Sequence, residues 1–580
     1  MCSGTAGTTT PQRDGSNCKL DLGKKQFCHH DFAGGFKPGC VTINKFNVVP
    51  HRRSVCLGGA TITLEKILRN PYVRWMRVHW RELFTSKVNA KVQWDRWDLV
   101  ALVLALATIA WVFALKLKTF YELGYTSDLF VSVQLARSWL EGRRVLTANC
   151  FGNMLALHTY FLLLPLGLVA KPFGAPGLLF VLAASVGAAY FWAARVLRLL
   201  GVAGPFAVIF AGAVLISPLW VAFYQEPHYG FHVEVLTPTL CLILFYFLLQ
   251  QRLVPSIVTA LVVISVKEDA SIAAAMVAIV AGVEVWLTSA GKQPPDRLNR
   301  PALIVLLLSA LAIPALLAIS RSQLPPAYAY YSLHRVRLVA PGTLSGTGAL
   351  FTFVISNAPS WLGSSVIRQW LLVMFVGSFG TILLRPYYLV PGVATTLVAW
   401  LVNSDDLLWA PRFYPTETLL GCVTLVGFAS IARAVTLETR SARALVLAAA
   451  ALIAAASVTA QLALAPQARH AYLLRSDSPY SPLERQQAEE VFTRYRREGK
   501  PEEPVIASTM LFRFAHDRNL FWLDRLGGRP APIWILGDSD DDYVPFRISA
   551  DRIYANSGIR MEDYNVIDRR GRFVLLKKKG

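Results

Sequence analysis

Charge is what this sequence has least of. Only 16% of its 580 residues are Asp, Glu, Lys or Arg, where a soluble protein carries about a quarter. The mean hydropathy is +0.42, a balance that excludes an ordinary cytosolic enzyme and points to the lipid bilayer. Catalytic signatures are missing as well. There is no phosphate-gripping GxxxxGK followed by Ser or Thr, no HExxH and no GxSxG, which counts against an ATPase, a zincin and a serine hydrolase. No internal repeat of about 20 to 50 residues is visible, which counts against a solenoid.

Cysteine is sparse, eight in all. Five of these, Cys2, Cys18, Cys28, Cys40 and Cys56, stand in the first sixty residues near His29 and His30. None of their spacings is the two to four residues, roughly, of a zinc knuckle. The stretch is rich in Gly, Thr and Ser without periodicity, so residues 1–61 are expected to be a disordered extension. Metal binding there and a translation start further on, for instance at Met76, are the alternatives. No apolar stretch follows Met1, so a cleaved leader is not expected.

What is present in excess is positive charge, 58 Lys and Arg against 37 Asp and Glu. Its distribution argues against nucleic acid as a partner. The first 98 residues carry 16 basic and 7 acidic side chains, and the later excess sits in short loops between apolar runs. That is the pattern of positive charge retained on the cytoplasmic side of a membrane. Residues 62–97, including ITLEKIL and VRWMRVHWRELF, read as a cytoplasmic segment of basic amphipathic helices on the membrane surface.

Residues 98–466 then form the membrane domain. Apolar segments run at 98–117, 176–197, 202–222, 233–250, 254–266, 270–288, 301–320, 367–384, 387–402, 416–432 and 444–465, most near the roughly twenty residues a helix needs to cross. Segment 155–170 is short, carries His158 and is interrupted by Pro165. Placing Arg195, Arg198, Arg252, Lys292, Arg297, Arg300, Arg385, Arg433, Arg440 and Arg443 inside requires an even number of crossings between residues 117 and 176. Segment 155–170 is therefore a re-entrant hairpin or half of an undetected pair. The scheme puts the N-terminus inside and residues 467–580 outside. It gathers Glu122, Asp128, Glu141, Glu226, Glu234, Glu268, Asp269, Asp405, Asp406 and Glu417 on the outer side, which suggests an outward cavity; ordinary solvated loop charge is the plainer reading.

Residues 467–580 are richer in charge. A helical stretch at 484–498 is followed by β-like runs at 504–508, 532–536, 564–568 and 573–577, which describes a small extracytoplasmic α/β domain. DSDDDY (538–543) resembles half a calcium loop but lacks its central Gly and final Glu, and reads as a solvated turn.

Five connectors could carry chemistry. In the first, Ser127 can cap a surface helix with Asp128 in its first turn and Leu129, Val133 and Ala136 as an apolar stripe; Asp128 also suits the helix dipole. In QEPHYGFHVEVLTP (225–238), Glu226, His228, His232 and Glu234 fall within nine residues, a set open either to metal ligation or to a hydrogen-bonded loop. In VISVKEDASIAA (263–274), Lys267, Glu268 and Asp269 interrupt an apolar run and must pair or face water. The stretch 321–368 holds Tyr328, Tyr330, Tyr331, His334, Arg335 and Arg337, suited either to an anionic lipid headgroup or to anchoring at the aromatic belt. NSDDLLWAPRFYPTE (403–417) adds Asp405, Asp406, Arg412 and Tyr414.

These stretches resemble a bacterial membrane-protein family, domain of unknown function 2079. The likeness rests on Asp128, Gln134, Trp139 and Gly142, on Phe231-His232-x-Glu234, and on Lys267-Glu268-Asp269, and covers about 97–580. That family is similar in layout to GT-C-type glycosyltransferases, which use polyprenyl-phosphate sugars and place an acidic residue in the first outer loop; Asp128 matches that placement. Where the family usually has a histidine before the tyrosine of a later outer loop, this chain has Arg412-Phe413-Tyr414.

The resemblance implies an all-α polytopic transmembrane bundle of about 11–13 spans, GT-C-like, with the small outer domain attached. It implies transfer of a sugar from a polyprenyl-phosphate donor to an acceptor on the outer face of the bacterial cytoplasmic membrane. Such chemistry needs a base for the acceptor hydroxyl and positive charge for the departing phosphate. Asp128 is the expected base, with His232 and Glu234 orienting the acceptor or holding a divalent metal ion. Lys267, Glu268, Asp269, Arg335, Arg337, Arg412 and Tyr414 are the expected substrate-binding set. A divalent metal ion is an open option, with Asp128, Glu226 and His228 as candidate ligands. The membrane lipid and the lipid-linked sugar are the expected partners. A transporter or flippase of an anionic lipid or sugar, and a non-catalytic scaffold, are the rival readings.

Overall fold

The computed structural model describes residues 54–57, 60–63, 94–149, 152–156, 158–225, 229–288, 298–323, 364–392, 414–437, 440–465, 468–473, 475, 478–516, 519–521, 531–539 and 560–580. The chain divides into two units, Met1–Asn70 and Pro71–Gly580. In the first, β1 (Ser54–Leu57) pairs antiparallel with β2 (Ala60–Thr63), Leu57 opposite Ala60 and Ser54 opposite Thr63. A hairpin therefore stands where disorder was expected up to 61 and helix from 62. The rest of the expected extension and the amphipathic helices up to 93 lie outside the described residues.

The second unit begins with α1 (Arg96–Tyr121). Its start is fixed by a capping box: the Asp95 carboxylate accepts from the Trp97 and Asp98 amides, and Asp98 accepts from the Asp95 amide. Leu99, Val103 and Leu106 are more than half exposed while Ala101 and Ala105 are buried, so one face meets lipid and the other packs on protein. Then come α2 (Ser127–Arg137) and a small antiparallel pair, β3 (Thr147–Ala148) with β4 (Gly152–Asn153). The next helix, α3 (Leu163–Leu199), leaves helical geometry at Gly174 (φ +57°, ψ −141°).

The remaining bundle is α4 (Gly204–Leu215), α5 (Pro218–Gln225), a 3-10 turn at Val233–Leu236, α6 (Thr237–Leu249), α7 (Leu253–Ile264), α8 (Ala270–Thr288), α9 (Arg300–Ser322), α10 (Ser365–Gly377), α11 (Tyr414–Leu437) and α12 (Arg440–Leu464). Among the described residues six helices are long and apolar enough to cross a membrane. The α4–α5 pair, bent by 60°, makes a seventh if it is one span, and three shorter apolar helices accompany them. The molecule is thus a helical membrane bundle, as the composition demands.

Side-chain contacts give the bundle two chemically distinct ends. At one, the start of α1 meets the end of α3: Arg198 binds Asp95 through two hydrogen bonds of 2.7 Å, and Arg195 lies 2.8 Å from Asp98. Arg433 of α11 reaches the Leu200 carbonyl, and Arg385 lies 3.5 Å from Glu284 near the end of α8. At the other end α1 runs into α2, and α6 and α8 begin. Because α3 starts at this second end and finishes at the first, segment 155–170 makes no crossing of its own. It forms a 3-10 turn at Met154–Ala156, an irregular stretch, and the first turns of α3. Pro165 does not break a helix; it sits in the first turn of one, where a missing amide hydrogen costs nothing.

The C-terminal region supplies α13 (Ala468–Tyr472), α14 (Pro482–Glu498) and strands β5 (Val505–Ala507), β6 (Leu520–Phe521), β7 (Trp534–Asp538), β8 (Tyr564–Arg570) and β9 (Phe573–Lys578). The sheet order is β6-β5-β7-β9-β8, with β5 parallel to both β6 and β7, and β9 antiparallel to both β7 and β8. Ser481 and Glu484 cap α14 reciprocally. Asp538 is no solvated turn residue: it is buried and accepts from Tyr480 and Arg572.

This small domain sits on the second end of the bundle. Arg485 pairs with Glu122 at 2.9 Å and Arg513 donates to the Tyr121 carbonyl at 2.6 Å. Phe130 of α2 faces Phe512 and His516. Helix α2 is consequently buried between the bundle and the small domain. Leu129, Val133 and Ala136 are buried as expected, but so are Phe130, Val131 and Leu135 on its other sides. Here α3 covers one face and the small domain another, burying the polar Ser132 and Gln134 with the apolar residues. Its N-cap is Thr126 rather than Ser127, and no side-chain hydrogen bond caps it.

Candidate functional site

Four separate connectors meet at the end of the bundle that carries the small domain. Asp128 comes from the first turn of α2. His232 and Glu234 come from the approach to α6, Lys267, Glu268 and Asp269 from the turn between α7 and α8, and His158, Thr159 and Tyr160 from the approach to α3. The Leu162 amide donates to the Ser265 carbonyl at 2.7 Å, which fixes the last two against each other.

The side chains form three linked groups. His232 Nε2 lies 3.2 Å from Asp128 Oδ2, with about a quarter of each side chain exposed. Tyr160 donates to Glu234 Oε1 at 2.7 Å, and Lys267 Nζ lies 3.2 Å from that same oxygen and 3.6 Å from Asp269 Oδ2. His158 Nδ1 is 2.7 Å from Glu268 Oε1, while the Thr159 amide and hydroxyl both donate to Glu268 Oε2. Lys267 therefore pairs with Asp269, as a tight turn would have it, but its nearer partner is Glu234 of another connector, and Glu268 pairs with His158 instead.

Electrostatics follow from this wiring. Burial alone would raise the Glu268 carboxyl, but the hydrogen bond and charge of His158, with Lys267, hold it at about 2. Burial works against the Lys267 ammonium, yet Asp269, Glu234 and Glu268 outweigh it and keep its pKa above the usual lysine range. Asp269 is pushed up by burial and by the carboxylates of Glu268 and Glu234, against the pull of Lys267. Burial and the Glu234 carboxylate keep the Tyr160 phenol a proton donor. The cluster holds four carboxylates, excluding Asp269 from the count only if it is protonated, against one ammonium and two imidazoles.

Of the residues singled out in the sequence, Asp128, His232, Glu234, Lys267, Glu268 and Asp269 are brought together. Glu226, His228, Arg335, Arg337 and Arg412 lie outside the described residues, as does the side chain of Tyr414. Among the described residues no three His, Cys, Asp or Glu are placed to hold a metal ion; two of the three candidate ligands are outside that set. Tyr160 and Thr159 were missed by sequence reasoning. The signal was present in the crossing parity, which left segment 155–170 free to serve the outer end.

Gln134 of α2 and Trp139, just beyond its end, make contacts outside this cluster. Gln134, buried, donates to the Leu520 carbonyl at 3.4 Å and accepts from the Asn149 amide at 3.0 Å. Trp139 donates to the Leu164 carbonyl at 2.9 Å. They tie α2 to the small domain and to α3. A cleft of about 240 Å³ opens here, lined by Gln134, Arg137, Arg143, Asn149, His516 and Asn519 among others.

No family model matches the chain, so membership of the family it resembles gains no support from that comparison, and no curated protein matches it. Among solved structures it is similar to ArnT from Cupriavidus metallidurans bound to undecaprenyl phosphate, at 12% identity and a TM-score of 0.45, over 83% of this chain and 97% of that one. It is also similar to the arabinofuranosyltransferase AftD from Mycobacteria, at 13% identity and a TM-score of 0.42, over 86% of this chain and 41% of that one. At these scores the likenesses carry no weight for the chemistry, which rests on the side chains just described.

Proposed function

We propose that the chain is an integral membrane glycosyltransferase that moves a sugar from a polyprenyl-phosphate donor to an acceptor hydroxyl on the outer face of the membrane. The observation that supports it most is the Asp128–His232 pair: two titratable groups 3.2 Å apart, each partly open to water, at the rim of a cluster whose other charges are committed to one another. Under the positive-inside rule the arginines of the opposite end support a cytoplasmic face there, and hence an outer position for this site and the small domain.

In this reading Asp128 takes the proton of the acceptor hydroxyl as that oxygen attacks the anomeric carbon, and the lipid phosphate leaves. His232 holds the Asp128 carboxylate in register and stabilises its charge. Glu234, fixed by Tyr160 and Lys267, orients the acceptor. Lys267 neutralises Glu234 and Asp269 from within, in the position a cation would take between two carboxylates. The charge that meets the departing phosphate is assigned to Arg335, Arg337 and Arg412, and Tyr414 to binding the substrate. The donor class is what the sequence resemblance implies, and the missing nucleotide-binding loop is compatible with a donor that diffuses within the membrane.

The test uses membranes supplied with a labelled polyprenyl-phosphate sugar. Asp128→Asn is expected to lower transfer about 10²- to 10⁴-fold, the usual worth of a general base, with unchanged protein abundance. Full activity in that variant removes Asp128 from the mechanism. Substrate flux in sealed vesicles without acceptor would instead favour a transporter.

A further inference from the structure

Lys116 is a buried charged side chain of α1. It is 1% exposed, in the last turns of the helix before Tyr121. An ammonium group at such a position is costly unless it is put to use. Here it donates to the backbone carbonyls of Gln225 and Gly230, the latter at 3.4 Å, and lies 5.5 Å over the ring of Tyr125.

Those contacts touch both arms of the candidate site. Gln225 ends α5 and Gly230 stands two residues before His232, so the two carbonyls bracket the connector that delivers His232. Tyr125 stands three residues before Asp128. Gly230 has φ +75°, and a Cβ there would fall 2.9 Å from the Tyr125 ring. The His232 arm thus leans directly on the Asp128 arm, and a glycine is required at the contact.

We propose that Lys116 is a positioning residue: by holding the 225–230 connector against Tyr125 it sets the separation of Asp128 and His232. The kinetic consequence rests on the function proposed above, but the geometry does not. A lysine ammonium suits the task because it can serve two carbonyls and a ring face at once.

The geometric test needs no substrate. In full-length protein in nanodiscs, the pair Asp128→Cys with His232→Cys is bridged by a short bifunctional thiol reagent, and the 128–232 link is quantified by peptide mass. Adding Lys116→Met is expected to lower the link about ten-fold. A control disulfide, Ser185→Cys with Thr239→Cys, whose native hydroxyls lie 2.9 Å apart between α3 and α6, is expected to form as before. Lys116→Gln, which keeps one donor, replaces Met if that variant does not insert, and is expected to give an intermediate yield. With native Asp128 and His232, Lys116→Met is expected to lower kcat while leaving KM for the lipid donor unchanged. An undiminished 128–232 link, or an equal fall in the control, overturns the proposal. A fall in the 128–232 link alone, together with no transferase activity in the protein that keeps native Asp128 and His232, supports the positioning role and sinks the enzymatic reading.

Discussion

The bundle carries a group of ionisable side chains at each end, and they differ in access to water. At the end away from the small domain, Glu284 and Arg385 are fully buried and Tyr388, 1% exposed, donates to Glu284. At the other end Asp128, His232, His158 and Glu268 keep between a fifth and a third of their side-chain surface. Both groups satisfy the rule that charge at membrane depth must be paired. The Glu284–Arg385–Tyr388 cluster leaves no face that a substrate could reach, whereas the cluster around Asp128 does. The Arg198–Asp95 pair at the first end is open as well, with 42% of the Asp95 side chain exposed, but it joins only the start of one helix to the end of another. Pairing alone is therefore no sign of function in this protein; pairing combined with residual exposure, and with partners drawn from several connectors, is what separates a site from a fastening.

Removing one partner at the sealed end should give the largest stability effect. Glu284→Leu removes a carboxylate that faces the buried Arg385 guanidinium, and is expected to cost roughly 3–5 kcal/mol, measured as unfolding in nanodiscs. The double variant Glu284→Leu with Arg385→Met should recover most of that loss, since an apolar pair of similar volume needs no solvation. Transfer activity per folded molecule should stay at the parent value in both. A drop in activity that the double variant does not restore would show that the sealed cluster also takes part in function.

The open end should respond to pH. The Glu268 carboxyl is held at about 2 against an ordinary 4.5, so the stability it contributes is complete above the ordinary value and is lost as pH falls through that range toward 2. Lys267 is displaced upward; its contribution is present below the usual lysine range and disappears only above it. Asp269, pushed up, opposes Glu268, because its protonation relieves crowding. The net expectation is a plateau from about pH 5 to 10 and an acid limb on the order of 2 kcal/mol. Glu268→Gln should reduce that limb, the remainder coming from Glu234, whose carboxylate is likewise held by Lys267 and Tyr160. A limb of full size in the variant would place the acid-sensitive group elsewhere.

How much of this was legible beforehand follows from the same physics. A carboxylate inside an apolar chain is expensive enough to stand out, which is why Asp128, Glu234 and the Lys267-Glu268-Asp269 turn could be singled out by inspection. The strands of the small domain, 504–508 and 573–577 for example, announced themselves by β-branched and aromatic residues between turns. What did not show was anything set by packing from afar. The helix bearing Asp128 displays an apolar stripe, but its burial on the remaining faces depends on a domain more than 300 positions later in the chain, through contacts such as Gln134 to Leu520. Tyr160 is an ordinary aromatic until Glu234 is brought to it. Lys116 looks like a residue that could snorkel to the interface; only the fold reveals the two carbonyls that retain it.

The smallest effect expected here concerns that distant contact. Gln134 is 4% exposed and makes hydrogen bonds on both sides of its amide, one to the small domain and one to the Asn149 backbone. Asn149 in turn bonds Asn519 at 2.9 Å. Gln134→Ala removes two neutral bonds and leaves a buried carbonyl and amide to find other partners, which predicts a loss of about 1–2 kcal/mol. If the small domain merely caps the bundle, that loss should appear as general destabilisation with unchanged transfer by the folded fraction. If it clamps the helix that carries Asp128, proteolysis should first release the 467–580 region, and transfer should fall before the bundle unfolds. The second outcome is expected, because Gln134 and Asp128 lie on the same two-and-a-half to three turns of helix, roughly, and a rigid helix passes displacement at one end to the other.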